Sequence, residues 1–448
     1  MKIAILGSGE SGVGAALLAK ARGYDVFVSD KGEIKGEYKF KLQQAGIPYE
    51  EGQHTESRIL DANEIIKSPG IPEKAPLVQE AYARQIPVIS EIEFAGRYSK
   101  AKFICISGTN GKTTTTLLTY HLLKSAGLNV GLAGNIGESL AEKVIEDTYD
   151  YYVLELSSFQ LDGMYSFKAD IAVLLNITPD HLDRYNYSME NYALSKLRLT
   201  QNQTSEDYFI YNQEDPLIFQ YFKPAAFAGQ TIPFALEKRE HAKAWFEGNK
   251  MVLGFAPGNA TVSTENSPLI GKHNQYNSLA AVSVAKLLGL TEAQIEAALA
   301  TFENAEHRLQ KIGEADGVLY INDSKATNVE AVWFALEGIK QPIVWIAGGV
   351  DKGNDYETLK PFAKEKIKAL ICLGKDNEKL KTSFGGIVPE IRETQRVEEA
   401  VQMAKDLATA GDVVLLSPAC ASFDLFNNYE HRGHRFMEAV REIALKYS

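Results

Sequence analysis

Short runs rich in Val, Ile, Leu and Tyr alternate with longer segments of helical period, the pattern of parallel sheets assembled from βαβ units. The alternation starts afresh three times. A first series opens at Lys2 to Leu6, continues through Val26-Phe27-Val28 and fades near Glu91 to Tyr98, after turns at Ser68-Pro69-Gly70-Ile71-Pro72 and Ile86-Pro87. A second begins with Phe103-Ile104-Cys105-Ile106 and includes Tyr151 to Leu154 and Ile171 to Leu175. A third follows Asn304, with strands predicted at Val318 to Ile321, Ile343 to Ile346, Leu370 to Leu373 and Val413 to Leu416. The 448 residues suffice for three domains of about 150 residues, predicted at 1–95, 96–304 and 305–448. The fold class is α/β. The later strands run out into Gly, Ser, Asp or Asn, and open parallel sheets bind ligands beyond the carboxyl ends of their strands, so chemistry is sought there.

A formal net charge of -11 disfavours long contacts with nucleic acid or anionic lipid and points to small-molecule partners. No apolar run reaches the ~18 residues of a membrane span. Cys105, Cys372 and Cys420 are far apart and form no C-x-x-C pair, so neither a disulfide framework nor a thiolate metal site is expected. The first residues read as a strand rather than a signal peptide; a cytoplasmic monomer is expected.

Two glycine-rich turns compete for the nucleotide. Gly7-Ser8-Gly9-Glu10-Ser11-Gly12 follows a strand, opens a helix and is followed by Asp30 at the next strand end, which matches the dinucleotide fingerprint. Any nucleotide diphosphate could use such a turn, and the glycines could equally serve close helix-to-strand packing. Ser107-Gly108-Thr109-Asn110-Gly111-Lys112-Thr113-Thr114 lies between the strand Phe103 to Ile106 and a helix through Leu117 to Leu123. It misses the strict phosphate-loop spacing, because Ile106 stands at the first glycine position. Its chemistry nevertheless suits a triphosphate: backbone N–H groups for oxygens, Lys112 for the β and γ phosphates, and the Thr113 hydroxyl for Mg²⁺.

Glu155 sits in an apolar strand beside that loop, where a buried carboxylate needs a cation or hydrogen bonds; a Mg²⁺ ligand and a salt-bridged structural Glu both fit. Asn176-Ile177-Thr178-Pro179-Asp180-His181-Leu182-Asp183 ends another strand and presents His181 at the same sheet edge; Asp180 and Asp183 read as turn or capping residues. Ser188 to Gln201 is predicted as a capped helix on which Lys196 shares a face with Tyr192 and Leu199. That lysine either snorkels or pairs with an acid or, if desolvated, has a lowered pKa and a reactive amine.

Together these residues resemble the Mur ligases of peptidoglycan synthesis, over nearly the whole chain. Glu155-Leu156-Ser157-Ser158-Phe159-Gln160-Leu161 looks like the D-glutamate-adding branch. Further matches are Gly134-Asn135-Ile136-Gly137, Asn176 to Asp183, His307-Arg308, Asn322 to Asn328, Gly348-Gly349 with Lys352, and Ser417 to Asp424. The resemblance implies a Rossmann-like UDP-binding domain, a central P-loop ATPase-like domain with a parallel or mixed sheet, and a Rossmann-like amino-acid-binding domain. It implies ATP, UDP-N-acetylmuramoyl-L-alanine and D-glutamate as substrates, two Mg²⁺ ions, and a CO₂-derived carbamate on Lys196. Thr113, Glu155, His181 and Lys196 would serve the metals. Gly108 to Thr114 would hold ATP with Asn274, Arg308 and Asp323, and Lys325 would face the transferring phosphate. Asn135 and His181 would approach the muramoyl substrate, with Ser11, Asp30, Lys31, Ser68 and Gly70 on its UDP. Thr327, Lys352, Ser417 and Phe423 would hold D-glutamate. Lys31-Gly32 stands where the family pattern has a hydroxyl residue and Arg, and Val350 where some members carry Asp.

The expected reaction is attack of the substrate carboxylate on the γ-phosphate, with Lys112 and Lys325 absorbing charge, then attack of the amine on the acyl phosphate. The rivals are another amino-acid-adding ligase of the superfamily, including folylpolyglutamate synthetase; an NAD- or FAD-dependent oxidoreductase built on Gly7 to Gly12; and a non-catalytic nucleotide-binding regulator.

Overall fold

The computed structural model describes residues 1–256, 259–269 and 271–443. Its chain forms two compact units, Met1–Pro268 with Gln275–Phe302, and Leu269–Asn274 with Glu303–Ser448.

The first unit carries two sheets. In the smaller, five parallel strands run in the order Tyr49–Glu50, Asp25–Ser29, Lys2–Leu6, Glu64–Lys67, Val88–Ile89. This is the doubly wound order, in which successive crossovers leave from both sides of the first strand. The larger sheet has nine strands: Ala260–Ser263, Lys250–Leu253, Ala244–Glu247, Gln230–Phe234, Tyr208–Asn212, Ile171–Leu174, Lys102–Ser107, Tyr151–Glu155 and Val130–Gly134. Neighbours are parallel up to the Phe234–Ala244 pairing; the remaining edge is an antiparallel meander. The central strands are buried along nearly their whole length, as continuous apolar runs covered on both faces must be. Lys102–Ser107 pairs with Tyr151–Glu155 on one side and Ile171–Leu174 on the other, and the crossover direction reverses there. Three strand ends therefore open onto one crevice, bringing Gly108 to Lys112, Glu155 and Asn176 to His181 together.

In the second unit six strands run in the order Gln310–Ala315, Val318–Asn322, Val413–Leu416, Ile343–Ala347, Ile367–Leu373, Glu390–Thr394. Only the first pair is antiparallel. Because Val413–Leu416 inserts between Val318–Asn322 and Ile343–Ala347, the residues after those strands, Asp323, Ser417 and Gly348, meet at one edge. The α/β class and three successive sheets match the sequence reading. The helix expected over 188–201 is capped by Ser188, ends at Leu197 and tightens into a 3₁₀ turn at Arg198–Thr200.

The segment joining the first two sheets is anchored by acids. Glu91 opens the helix Glu91–Gly96, is buried, and accepts from the Ser139 hydroxyl at 2.8 Å and the Ala141 N–H at 2.6 Å. Burial pushes its pKa up to about 7 despite those hydrogen bonds. The folded chain thus keeps a proton that the unfolded chain has released, so its stability declines as pH rises from the ordinary carboxylate range to about 7. Glu91→Gln retains the acceptor oxygen without the titration. Denaturant melts at several pH values should show the variant losing most of a decline of about 3 kcal/mol; parallel profiles for the two proteins would contradict this.

Candidate active site

The phosphate loop is held by its neighbours before any ligand enters. Gly111 has φ +84°, and a Cβ there would lie 2.3 Å from the Asn277 Oδ1, so only glycine fits between strand and helix. Asn176 clasps the loop: its Oδ1 accepts from the Asn110 N–H at 2.8 Å, and its Nδ2 donates to the Asn110 carbonyl at 3.0 Å. The helix Lys112–Ser125 starts immediately after, directing its first N–H groups and positive dipole end at the loop. Lys112 Nζ donates to the Gly108 and Thr109 carbonyls, both at 2.8 Å, folded back on its own loop.

Glu155 ends its strand at 1% exposure. Its Oε1 accepts from Asn135 Nδ2 at 2.8 Å, while its Oε2 has no hydrogen-bond partner. Gly134 lets Asn135 approach: φ is +103°, and a Cβ would meet the Glu155 carbonyl oxygen at 2.4 Å. An orphaned, buried carboxylate oxygen is costly, and it and the buried Thr113 hydroxyl at the head of the helix Lys112–Ser125 are both oxygen donors of the hard kind that Mg²⁺ takes.

Lys196 is buried at 1% exposure, donates to the Gly108 carbonyl at 2.8 Å, and lies 4.7 Å from the centre of the Tyr192 ring. Desolvation holds its pKa well below the usual lysine range, the Lys112 ammonium adds to the depression, and Asp180 and Asp162 oppose it. Snorkelling is excluded, because the ammonium ends inside the protein. His181 takes a left-handed backbone (φ +52°), with its ring 5.2 Å edge-on from Phe159 and its Nε2 3.6 Å from Asp180.

Lys112, Asn135, His181, Lys196 and Gly70 all line one cavity of about 310 Å³. Pro69, Ser157, Ser158, Phe159, Asp180 and Tyr192 complete its wall. Asp180, read from sequence as a turn residue, faces the cavity and makes a turn contact as well, accepting from the His181 N–H at 2.9 Å. In the segment that carries the branch resemblance, Ser157 and Gln160 form a capping box on the helix Ser158–Asp162, so part of that motif shapes backbone and only Ser157 to Phe159 meet the cavity.

The N-terminal glycine turn divides its labour. A Cβ on Gly12 would lie 1.9 Å from the Gly7 carbonyl oxygen, so Gly12 serves helix-to-strand packing, whereas Gly9 faces open space. Asp30 is occupied inside the turn: its Oδ2 accepts from the Ser8 N–H and hydroxyl at 2.6 Å each and its Oδ1 from the Gly32 N–H at 2.8 Å. Burial works against its ionisation, but those bonds hold it below the usual carboxylate range. Ser68 donates to the Gly7 carbonyl at 3.4 Å, Ser11 lies in the first turn of the helix Glu10–Ala21, and Lys31 is exposed.

Within the second unit, Asp323 is buried and accepts from the Ser417 hydroxyl at 2.8 Å and the Leu309 N–H at 3.1 Å. Burial pushes its pKa up to about 6, opposed by the Arg308 guanidinium. Arg308 Nε is buried without a partner. Asn274 is buried one position after His273, which Arg308 influences electrostatically. Lys325 donates to the Tyr429 hydroxyl at 3.2 Å and sits over that ring. Thr327 is half-buried; Lys352 and Phe423 are exposed. A Cβ on Gly348 would lie 2.6 Å from the Leu373 carbonyl oxygen and one on Gly349 2.1 Å from the Ala421 carbonyl oxygen, which explains the glycine pair; Val350 pairs with Ala421 through its backbone, its side chain exposed. Glu306, His307 and His434 bring ligand-type atoms within 4.8 Å of one another. His307 Nδ1 accepts from Asn322 Nδ2 at 2.7 Å, and Asn322 Oδ1 is taken by the Ser324 N–H at 3.1 Å. The buried His307 Nε2 has no hydrogen-bond partner, and burial lowers the pKa of the ring.

Family models match in the order of the sheets: the MurD N-terminal domain over residues 2–76, the Mur ligase middle domain over 106–285, and the Mur ligase glutamate ligase domain over 307–420. A UDP-N-acetylmuramoylalanine–D-glutamate ligase of Christiangramia forsetii is 53% identical, the match covering 99% of each chain. Among solved structures, a UDP-N-acetylmuramate–alanine ligase of Thermotoga maritima shares the fold with TM-score 0.64 at 19% identity, over 99% of both chains. A MurF ligase of the same organism, solved with ADP, matches with TM-score 0.61 at 17% identity, over 96% of this chain and 99% of that one. With a relative of that identity along its whole length, and with all three parts matched in order, the chain belongs to the Mur ligase family.

Proposed function

We propose that the chain joins D-glutamate to UDP-N-acetylmuramoyl-L-alanine at the expense of ATP, through an acyl phosphate. The observation that carries this reading is that the Lys112 ammonium and the desolvated Lys196 amine share the Gly108 carbonyl of one phosphate loop, while Glu155, bonded to the cavity-lining Asn135, keeps one oxygen orphaned. A dinucleotide oxidoreductase has no use for that trio. The choice of D-glutamate rests on the name of the 53% identical relative and on the Glu155 to Leu161 segment.

Thr113, Glu155 and His181, with Lys196 once its neutral amine has added CO₂, would hold two Mg²⁺ ions, which when bound neutralise charge on phosphate oxygens. Lys112 exchanges its two loop carbonyls for β- and γ-phosphate oxygens, while the loop N–H groups and the helix N-terminus hold the remainder. Asn135 and His181 orient the substrate carboxylate for in-line attack. Asn274, Arg308 and Asp323 bind the nucleoside, and Lys325 meets the transferring phosphoryl group. Thr327, Lys352, Ser417 and the Phe423 backbone hold the two D-glutamate carboxylates; Ser417 does so by turning its hydroxyl from Asp323. The domains are taken as 1–95, 96–304 and 305–448, acting on the UDP-sugar, ATP and the amino acid in turn. The chain is taken as a cytoplasmic monomer.

ADP release with UDP-N-acetylmuramoyl-L-alanine and each candidate amino acid is the test. Turnover is expected with D-glutamate and to be at least about a hundredfold lower with L-glutamate, because the wrong stereoisomer leaves carboxylate-binding groups unpaired. Turnover with L-glutamate alone would sink the assignment.

A further inference from the structure

Arg184 lies outside the cavity wall and belongs to no role assigned above, yet it touches three parts of that wall. It closes the 3₁₀ turn Leu182–Arg184 that follows His181. Its Nη2 donates to the Pro69 carbonyl at 3.2 Å and the Ile71 carbonyl at 3.3 Å, and its Nη1 to the Gly70 carbonyl at 3.4 Å. The guanidinium stacks 4.3 Å from the centre of the Phe159 ring, which packs at a steep angle on the His181 ring. One planar cation thus collects three successive carbonyls from the first sheet's loop and locks them to the catalytic loop of the second.

The direction of those carbonyls matters. The Pro69–Gly70 peptide is trans, so fixing the Pro69 carbonyl on Arg184 turns the Gly70 N–H to the opposite side, and Gly70 lines the cavity. Three carbonyl oxygens facing a substrate with a diphosphate would repel it; Arg184 engages all three, alone at Pro69 and Gly70 and together with the Lys67 ammonium, 2.9 Å from the oxygen, at Ile71. We propose that Arg184 is a positioning residue for the nucleotide-sugar substrate. It holds residues 69–71 with their carbonyls turned away and the Gly70 N–H presented to the anionic part of that molecule, and it fixes Phe159 beside His181. This rests on the function proposed for the same site.

The test compares wild type, Arg184→Ala, Arg184→Lys and Phe159→Leu in steady-state ADP release and in calorimetric binding of UDP-N-acetylmuramoyl-L-alanine. Arg184→Ala is expected to raise KM and Kd for the nucleotide-sugar about ten- to a hundredfold, from the loss of charge-assisted bonds, while KM for ATP is unchanged and kcat falls less than about threefold. Lysine restores the charge but not the planar fork, so its KM falls between. Phe159→Leu shifts the same constant less, and adds little on top of Arg184→Ala. An unchanged nucleotide-sugar KM, or KM for ATP and melting temperature moving in step with it, overturns the proposal. Wild-type protein that binds the nucleotide-sugar without turning over D-glutamate removes the function reading alone, and binding is then the readout; wild-type protein that binds none removes both.

Discussion

Lys196→Ala is expected to lower ligation by about 10³-fold or more while leaving the fold intact, the scale seen when a group that stabilises transition-state charge is removed from a dry site. The side chain is fully inside, its Nζ bonded to the Gly108 carbonyl of the phosphate loop and its pKa depressed by burial and by Lys112. A neutral amine at that position can add CO₂, and the product carries a carboxylate where the unmodified chain has an amine. The alanine variant loses both the amine and the carboxylate, and short-chain carboxylates added to the assay are expected to recover part of the rate by entering the space left. Melting temperature should change little, because the truncated group is a desolvated amine with a single hydrogen-bond partner. Undiminished turnover of Lys196→Ala without added carboxylate would remove Lys196 from the mechanism. Lys196→Arg, which places a permanent cation there and cannot form the carbamate, should be as inactive as alanine and gain nothing from the added acids.

The parts of this site that could be read from the chain are those whose chemistry is local. Gly108 to Thr114 announces itself because a phosphate loop is one continuous segment between a strand and a helix, and Glu155 because a carboxylate ending an apolar strand is conspicuous. Lys196 was legible only as an ammonium on an apolar face. Whether that face looks into a core or along a surface depends on what packs against it, and the helix Ser158–Asp162 and the loop at Gly108 supply that packing from elsewhere in the chain. Asp180 passed for a turn residue because it is one; the same carboxylate faces the cavity only through the alignment of three strand ends. Arg184 gave no signal, since its partners are main-chain carbonyls more than a hundred positions away, and a carbonyl has no sequence signature. The Gly7 to Gly12 turn shows the opposite limit. Its spacing satisfies a nucleotide fingerprint while Gly12 is explained by packing, so the pattern alone could not separate ligand from fold.

Glu155→Gln is the second large effect expected. Glutamine has the shape of glutamate and can still accept from Asn135 Nδ2, so the substitution isolates the charge on the oxygen that has no partner. If that oxygen exists to meet a cation, kcat should fall about 10²- to 10³-fold, and the Mg²⁺ concentration giving half-maximal ADP release should rise. The apoprotein should melt at the same temperature or higher, because an uncompensated buried carboxylate is removed. A structural glutamate gives the opposite pair of results: a lower melting temperature, and a rate that follows the fraction folded without a change in Mg²⁺ response. Melting curves with and without Mg²⁺ separate the two even before turnover is assayed. Wild-type protein should gain stability from Mg²⁺ by linkage, to an extent set by the ratio of ion concentration to Kd, and Glu155→Gln should gain less. Equal stabilisation of both proteins by Mg²⁺, together with wild-type kcat in the variant, would place the metal elsewhere and leave Glu155 a buried acid without a function in the reaction.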